Sequence, residues 1–530
     1  MLMLFIVWIV VHQHMLTFGT NSVPLHKTHI GDEQSPVNAG LHILKDKSIF
    51  SIRESGTYYG PTMAFLSVPA AISNLSFLYV AGHIKSVEEY RDYIVWDWGG
   101  IVYNARFIAL VTGFIGIILF FLLMREFAKI NDVYPAFLGS LLLATNLLYF
   151  VYASFFRVWI FIVVILLWQL YIAVLIEKGR VQLLKGFVLS AFLGVLSFGL
   201  NYVSLVLQVF WLPYVYKWFK CKDKQKLVGF SIFIFTYLFL AILVIGLYPD
   251  AFFRIVNMGI TSSVDPNAYG IAPSINETLY YYGALFITGN SPLLIAFGIL
   301  LVSRYKIASS SLRMFLLSMF FVGLTYATLI LAVGWKEGRY ALPLSLLLVL
   351  ATSLLLSIKT SSSCKLRNKF LYNVVLSLIV TQIAFGTVII LKFNSIYTTV
   401  PSEIEVIQTL KSTERIVVIR SRFYGMNELV GVAHSEDSYK AYFKSMGLQN
   451  LDYYKYLMET NPRPSEDRFN IYYTDFDKLV LSQVTKNLAD HFIYCYNPLW
   501  EGSTGHDPFE TNVFQLWHPD NLLDECFILK

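Results

Sequence analysis

Apolar stretches of roughly 20 residues, the length a helix needs to cross a bilayer, recur along most of this chain and dictate its fold class. The first runs from Leu2 to Phe18. Others lie near 103–124, 133–153, 157–176, 186–200, 201–216, 227–248, 284–303, 312–332, 338–358 and 370–392. Residues 186–216 form one continuous apolar run, and Gly199-Leu200-Asn201-Tyr202 marks the expected break in it. With 56% of its residues hydrophobic and only 14% charged, the chain carries more apolar surface than a soluble fold hides. The expected fold is mainly α: a polytopic membrane protein of about eleven spans with outer juxtamembrane helices and a small C-terminal α/β domain.

The basic residues supply the topology. Arg125 and Lys129 share one loop; Lys178, Arg180 and Lys185 the next on that side; then Lys217, Lys220, Lys222, Lys224 and Lys226. Arg304, Lys306 and Arg313 follow, then Lys359, Lys365, Arg367 and Lys369. Alternating spans put all five clusters on one face, which the positive-inside rule makes cytoplasmic. The net charge of +6 is thereby used at the membrane, and no nucleic-acid partner is expected. Residues 62–82 are apolar enough to span. A single crossing there would invert every later loop, so the stretch is expected to be an interfacial or re-entrant helix on the outer face. The first segment has no basic start and no small-residue cleavage site, so it is expected to remain as a helix with the N-terminus cytoplasmic. A bacterial-type cytoplasmic (inner) membrane is the expected location.

Two domains are expected: a transmembrane domain over 1–392, with long outer loops at 20–102 and 249–283, and an extracytoplasmic domain over 393–530. In the latter the pattern predicts helices at 402–411 and 451–459. Strands are predicted at 415–420, 470–473, 491–496, 513–517 and 526–529. Of the four cysteines, Cys221 and Cys364 fall in cytoplasmic loops as thiols. Cys495 and Cys526 fall on outer strands, where a disulfide and two buried thiols are equal alternatives.

Charged residues are scarce outside the basic loops, so the adjacent carboxylates Asp32 and Glu33, just past the first span, are the first candidates for chemistry. They precede a short predicted helix, and capping its first turn is the competing explanation. Three further motifs follow in order. Tyr58-Tyr59-Gly60-Pro61 starts the 62–82 stretch, Asn104-Ala105-Arg106-Phe107 opens the second span, and Gly338-Arg339-Tyr340-Ala341-Leu342-Pro343 opens a late span from the outer side.

This order resembles the GT-C superfamily of polytopic, lipid-carrier-dependent glycosyltransferases, in particular bacterial enzymes related to protein O-mannosyltransferases and the aminoarabinose transferase of lipid A. The resemblance covers roughly residues 1–392. It implies Asp32 as catalytic base, Glu33 as a neighbouring positioning group and Arg339 as a contact to the lipid-carrier phosphate. Lys336 and Arg157 are candidates for the same phosphate, and Tyr59, Arg106 and Tyr340 for substrate contact. For Arg339, Lys336 and Arg157 the competing role is interfacial anchoring. The implied partners are a polyprenyl-phosphate-sugar donor and an acceptor lipid, glycan or protein, within a membrane.

The chain departs from the family at the short outer turn 152–159, where a second acid is usual. It reads Tyr-Ala-Ser-Phe-Phe-Arg-Val-Trp, with Arg157 and no carboxylate. No metal is expected there, and His26 and His29 near the acidic pair are not expected to supply one. The chemistry is coherent without it: a phosphate leaves as a stabilised anion, so one carboxylate base and phosphate-binding cations suffice. The alternative is a multispan transporter or flippase for a lipid-linked or polar substrate. Coupled transporters place ionisable groups inside their spans, and here only His12 and His14 lie within one. A non-catalytic scaffold displaying 393–530 leaves the acidic pair and the outer arginines unexplained.

Overall fold

The computed structural model describes residues 2–17, 33–54, 60–96, 99–127, 133–250, 252–254, 257, 275–333, 338–358 and 365–393, and the strands 416–420, 469–473, 491–496 and 525–529. Fifteen α-helices are used here: α1 (Leu2–Thr17), α2 (Gln34–Asp46), α3 (Pro61–Val80), α4 (Val87–Trp96), α5 (Gly99–Phe127), α6 (Tyr134–Ala144), α7 (Leu147–Ser154), α8 (Val158–Glu177), α9 (Leu183–Leu200), α10 (Trp211–Lys220), α11 (Lys224–Leu247), α12 (Ile275–Arg304), α13 (Ser310–Val333), α14 (Leu342–Leu356) and α15 (Lys365–Phe393). By chain contacts the protein divides into two units. One comprises Met1–Val10, Phe50–Leu66 and Arg106–Leu391, the other Val11–Ile49, Ser67–Ala105 and Lys392–Lys530.

Among the described residues eight helices are long and apolar enough to cross a membrane, or up to nine if the bent pair α6–α7 counts as one span. The chain is a multi-pass integral membrane protein. Among the described residues the expected count of about eleven is not confirmed. The described part of the first helix is 16 residues long. α6 and α7 bend by 61° across Thr145 and Asn146. The predicted 201–216 span is a 3₁₀ helix, Tyr202–Phe210, continued by the short α10; the break falls at Asn201, as expected, because that residue is extended and its side chain accepts from Val203 N. α12 is interrupted by a non-helical Asn290, two residues before Pro292.

In the larger unit the basic loops lie at one end of the bundle. Glu126, at the end of α5, pairs with Lys178 (3.2 Å) and Arg180 (2.8 Å) after α8. Glu177, at the end of α8, pairs with Lys217 of α10 and Lys226 of α11 (3.4 Å) and accepts from Trp218 Nε1 (2.8 Å). Phe127 meets Phe315, at the start of α13, with ring centroids 5.1 Å apart. Arg304 donates to Leu356 O (2.8 Å), capping the end of α14. Acids here neutralise lysines that would otherwise repel one another, and the aromatic and capping contacts tie the remaining basic loops to the same end.

α3 satisfies the length and hydropathy of a span, where the sequence led to an interfacial or re-entrant helix. Trp8 Nε1 donates to Leu110 O (3.1 Å) and Phe5 packs on Phe114, 4.8 Å between centroids. Rising numbers on α1 meet falling numbers on α5, so the two helices are antiparallel. The start of α3 lies at the end away from the basic loops: Gly60 N donates to Leu200 O (3.1 Å) at the far end of α9, and Phe65 packs on Tyr248 at the far end of α11. Residue 60 has to be glycine, because a Cβ there would meet Gly199 O at 2.1 Å. α8 and α14 are the most enclosed spans.

In the other unit, three helices converge on α3. Ser67 Oγ donates to Pro36 O of α2 (2.8 Å), Tyr90 Oη of α4 to Ala71 O (3.0 Å), and Asn104 Nδ2 of α5 to Ala70 O (3.3 Å). Four strands, β1 (Ile416–Arg420), β2 (Phe469–Tyr473), β3 (His491–Tyr496) and β4 (Glu525–Leu529), form a sheet of order β2-β1-β3-β4. β1 pairs in parallel with β2 and β3, and β3 antiparallel with β4. These four lie within a residue of where the sequence predicts them. The strand expected at 513–517 and the helices at 402–411 and 451–459 lie outside the described residues.

Candidate functional site

Three of the predicted cations lie in one turn or are linked to it through aromatic rings, at the end of the larger unit opposite the basic loops. The turn joins α7 to α8. Phe155 is extended, Arg157 N donates to Phe155 O (2.8 Å), and Arg157, itself extended, is the residue before α8. On one side, the Arg106 guanidinium, in the second turn of α5, lies over the Phe155 ring, 5.0 Å from its centroid. On the other, Trp159 packs edge-on against Tyr340 at 4.9 Å. The Arg339 guanidinium lies 5.5 Å from the Tyr340 ring centroid. Arg339 and Tyr340 belong to a 3₁₀ turn, Gly338–Ala341, that feeds into α14. Tyr326 of α13 lies within electrostatic range of both Arg339 and Tyr282 of α12.

Arg106 is fully buried and Arg157 is 2% exposed, among Phe155, Phe156 and Trp159, all nearly inaccessible. Arg339 is half-buried. Two guanidinium groups taken out of water at span ends are costly to hold. A side chain that merely anchors a helix at the interface keeps its charge in water, whereas Arg157 is 2% exposed. A cation cluster in a low-dielectric setting suits an anion such as a phosphate, which guanidinium binds with two parallel hydrogen bonds.

Of the acidic pair, Glu33 is described and fully buried. It sits at the position before α2, yet its side chain makes no capping hydrogen bond there, so helix capping does not explain that carboxylate. Asp32, Tyr59 and Lys336 lie outside the described residues. Among the described residues no group of three or more His, Cys, Asp or Glu side chains could hold a metal ion.

The sequence reading missed the aromatic partners of these cations, Phe155 among them, and a polar knot in the same unit. Asn146 Nδ2 donates to Asn290 Oδ1 (3.2 Å) and Ser345 Oγ (2.9 Å), while Asn146 Oδ1 accepts from Tyr149 N (3.2 Å). Gln382 Nε2 donates to Gly289 O (2.8 Å). The knot sits at the α6–α7 bend and the α12 interruption, where broken helices release backbone groups that need partners. Asparagines inside otherwise apolar runs were the available signal.

The fold defines a multi-pass helical membrane protein with basic loops at one end of its spans and buried arginines at the other. No protein-family model matches the chain, and no curated protein sequence is similar to it. Among solved structures it is similar to ArnT from Cupriavidus metallidurans in the apo state, with 11% identity, a TM-score of 0.47, and coverage of 93% of this chain and 92% of that one. It is similar to the same protein bound to undecaprenyl phosphate, with 11% identity, a TM-score of 0.45, and coverage of 93% of both chains. A third is the archaeal oligosaccharyltransferase AglB from Archaeoglobus fulgidus, in complex with an inhibitory peptide and a dolichol-phosphate. It shows 12% identity and a TM-score of 0.37, and the match covers 92% of this chain and 69% of that one.

Proposed function

We propose that this protein is a glycosyltransferase that moves a sugar from a polyprenyl-phosphate-linked donor to an acceptor hydroxyl at the outer face of the membrane. The observation that carries the reading is the gathering of Arg106, Arg157 and Arg339 around the Phe155–Trp159 turn, two of them buried, at the bundle end away from the basic loops. Asp32 takes the proton from the acceptor hydroxyl as its oxygen bonds to the anomeric carbon. The bond from that carbon to the phosphate oxygen breaks, and its electron pair leaves with the phosphate. The arginines bind the charge that develops there, so no acid is needed to protonate the leaving group. A single displacement of this kind inverts the anomeric centre. Glu33 positions the loop that carries Asp32.

The broken helices at the polar knot favour transport as a second reading, since discontinuous spans line transporter sites. Its members, Asn146, Asn290, Ser345 and Gln382, are all non-ionisable, so they offer no coupling charge.

The test uses the full-length protein in nanodiscs. Undecaprenyl phosphate binding is followed by native mass spectrometry, and transfer by release of undecaprenyl phosphate from lipid-linked pentose and hexose donors, with host membranes as the acceptor source. Asp32→Asn is expected to abolish release and keep lipid-phosphate binding. Arg157→Ala is expected to weaken that binding at least tenfold, for charge-assisted hydrogen bonds worth roughly 1.5–3 kcal/mol. Full release by the Asp32 variant would remove Asp32 as the base. Unchanged binding by the Arg157 variant would remove the phosphate site.

A further inference from the structure

The antiparallel pairing of β3 with β4 sets Cys495 directly opposite Cys526, one of five register pairs from Phe492↔Leu529 to Tyr496↔Glu525. We infer that these two cysteines form a disulfide that staples β4, at the edge of the sheet, to β3. Directly opposed residues of an antiparallel ladder have Cα atoms roughly 4.5 or 5.5 Å apart, depending on whether the pair is hydrogen-bonded. Both values fall inside the approximate 4.4–6.8 Å range that a disulfide spans. Opposed residues also belong to the same face of the sheet, so no rearrangement of the backbone is needed. A shift of one residue in register would separate them, which makes the pairing specific to this alignment of the strands.

The compartment agrees with the geometry. The basic loops gather at one end of the transmembrane unit, and the positive-inside rule makes that end cytoplasmic. The chain from Lys365 starts there and crosses as α15 before it reaches the sheet, so Cys495 and Cys526 fall on the oxidising side. Cys221 and Cys364 fall on the reducing side. The bond forms by thiol–disulfide exchange with a disulfide-bearing oxidoreductase of the outer compartment. One cysteine thiolate attacks the oxidant's disulfide, the other displaces the mixed disulfide, and the oxidant leaves as a dithiol carrying both protons and both electrons. The staple closes the chain between β3 and β4 covalently and holds an edge strand that has a pairing partner on one side only.

The experiment counts thiols in the full-length protein. Cells are lysed directly into denaturant containing a polyethylene-glycol maleimide, with and without prior reduction, and the adducts are counted by gel shift. The chain has four cysteines. Two adducts are expected without reductant and four with it, and Cys495→Ser is expected to take three without reductant as Cys526 is released. Four adducts on the unreduced wild-type chain would overturn the inference. So would any count other than three for Cys495→Ser, or a wild-type species that runs as a reducible dimer. Because the count is made on denatured chains, a variant that folds poorly still reports.

Discussion

Arg339 differs from the other two site arginines in being half-buried, and that difference predicts its role. A side chain that keeps partial access to solvent meets a phosphate arriving from the lipid side, whereas the buried Arg106 and Arg157 are fixed in advance. Arg339→Ala is expected to raise the KM for the lipid-linked donor about 10- to 100-fold, from the loss of a charge-assisted contact. The KM for the acceptor should stay within twofold. Arg339→Lys is expected to recover only part, because an ammonium offers a point charge and no planar fork. Steady-state kinetics with donor and acceptor varied separately decides it, and a matched rise in both constants would point to a structural role. These cations were legible in the sequence because charges are rare near its apolar runs, and each stands at the mouth of one. Their convergence was not legible. It is made by Phe155, Trp159 and Tyr340, aromatic residues that look like any others in a chain with 16% aromatics.

At the scale of the helices, apolar runs marked where spans fall, and the break at Asn201 was expected, but the others were not. Periodicity is silent in fully apolar segments, so the bend after α6 and the interruption of α12 at Asn290 went unread. The breaks carry their own packing requirement. Gly386 of α15 lies against the α6–α7 bend, where an added Cβ would stand 2.0 Å from Thr145 O, a backbone atom whose carbonyl oxygen cannot swing away as a side chain would. Gly386→Ala is therefore expected to lower stability by about 1–3 kcal/mol, the usual range for overpacking. Gly298→Ala, on α12 with nothing within 4 Å of an added Cβ, is expected to be neutral or slightly stabilising. Thermal unfolding of both variants in the same detergent compares them, and equal midpoints would mean that α15 does not press on the bend.

For the whole molecule, the distribution of charge is the organising fact. Five basic clusters, separated by nearly 250 residues of sequence from Arg125 to Lys369, become one end of a bundle through Glu126, Glu177, the Phe127–Phe315 contact and the Arg304 cap. The sequence foretold this through alternation of spans. The helix Pro61–Val80, which the sequence led to expect at the interface, is long and apolar enough to span. Lys and Arg in short loops resist translocation, so the basic end is expected to face the cytoplasm. Cys221 gives a native probe of that assignment. It is exposed, and it follows α10, among lysines of the basic end. With Cys364, Cys495 and Cys526 changed to Ser, a membrane-impermeant maleimide added to intact cells is expected to leave Cys221 unlabelled. The same reagent added to inverted membrane vesicles should label it fully. The converse pattern would turn the molecule over. It would carry the arginine turn to the cytoplasmic face, and the transfer reaction would then have to draw its donor from the inner leaflet.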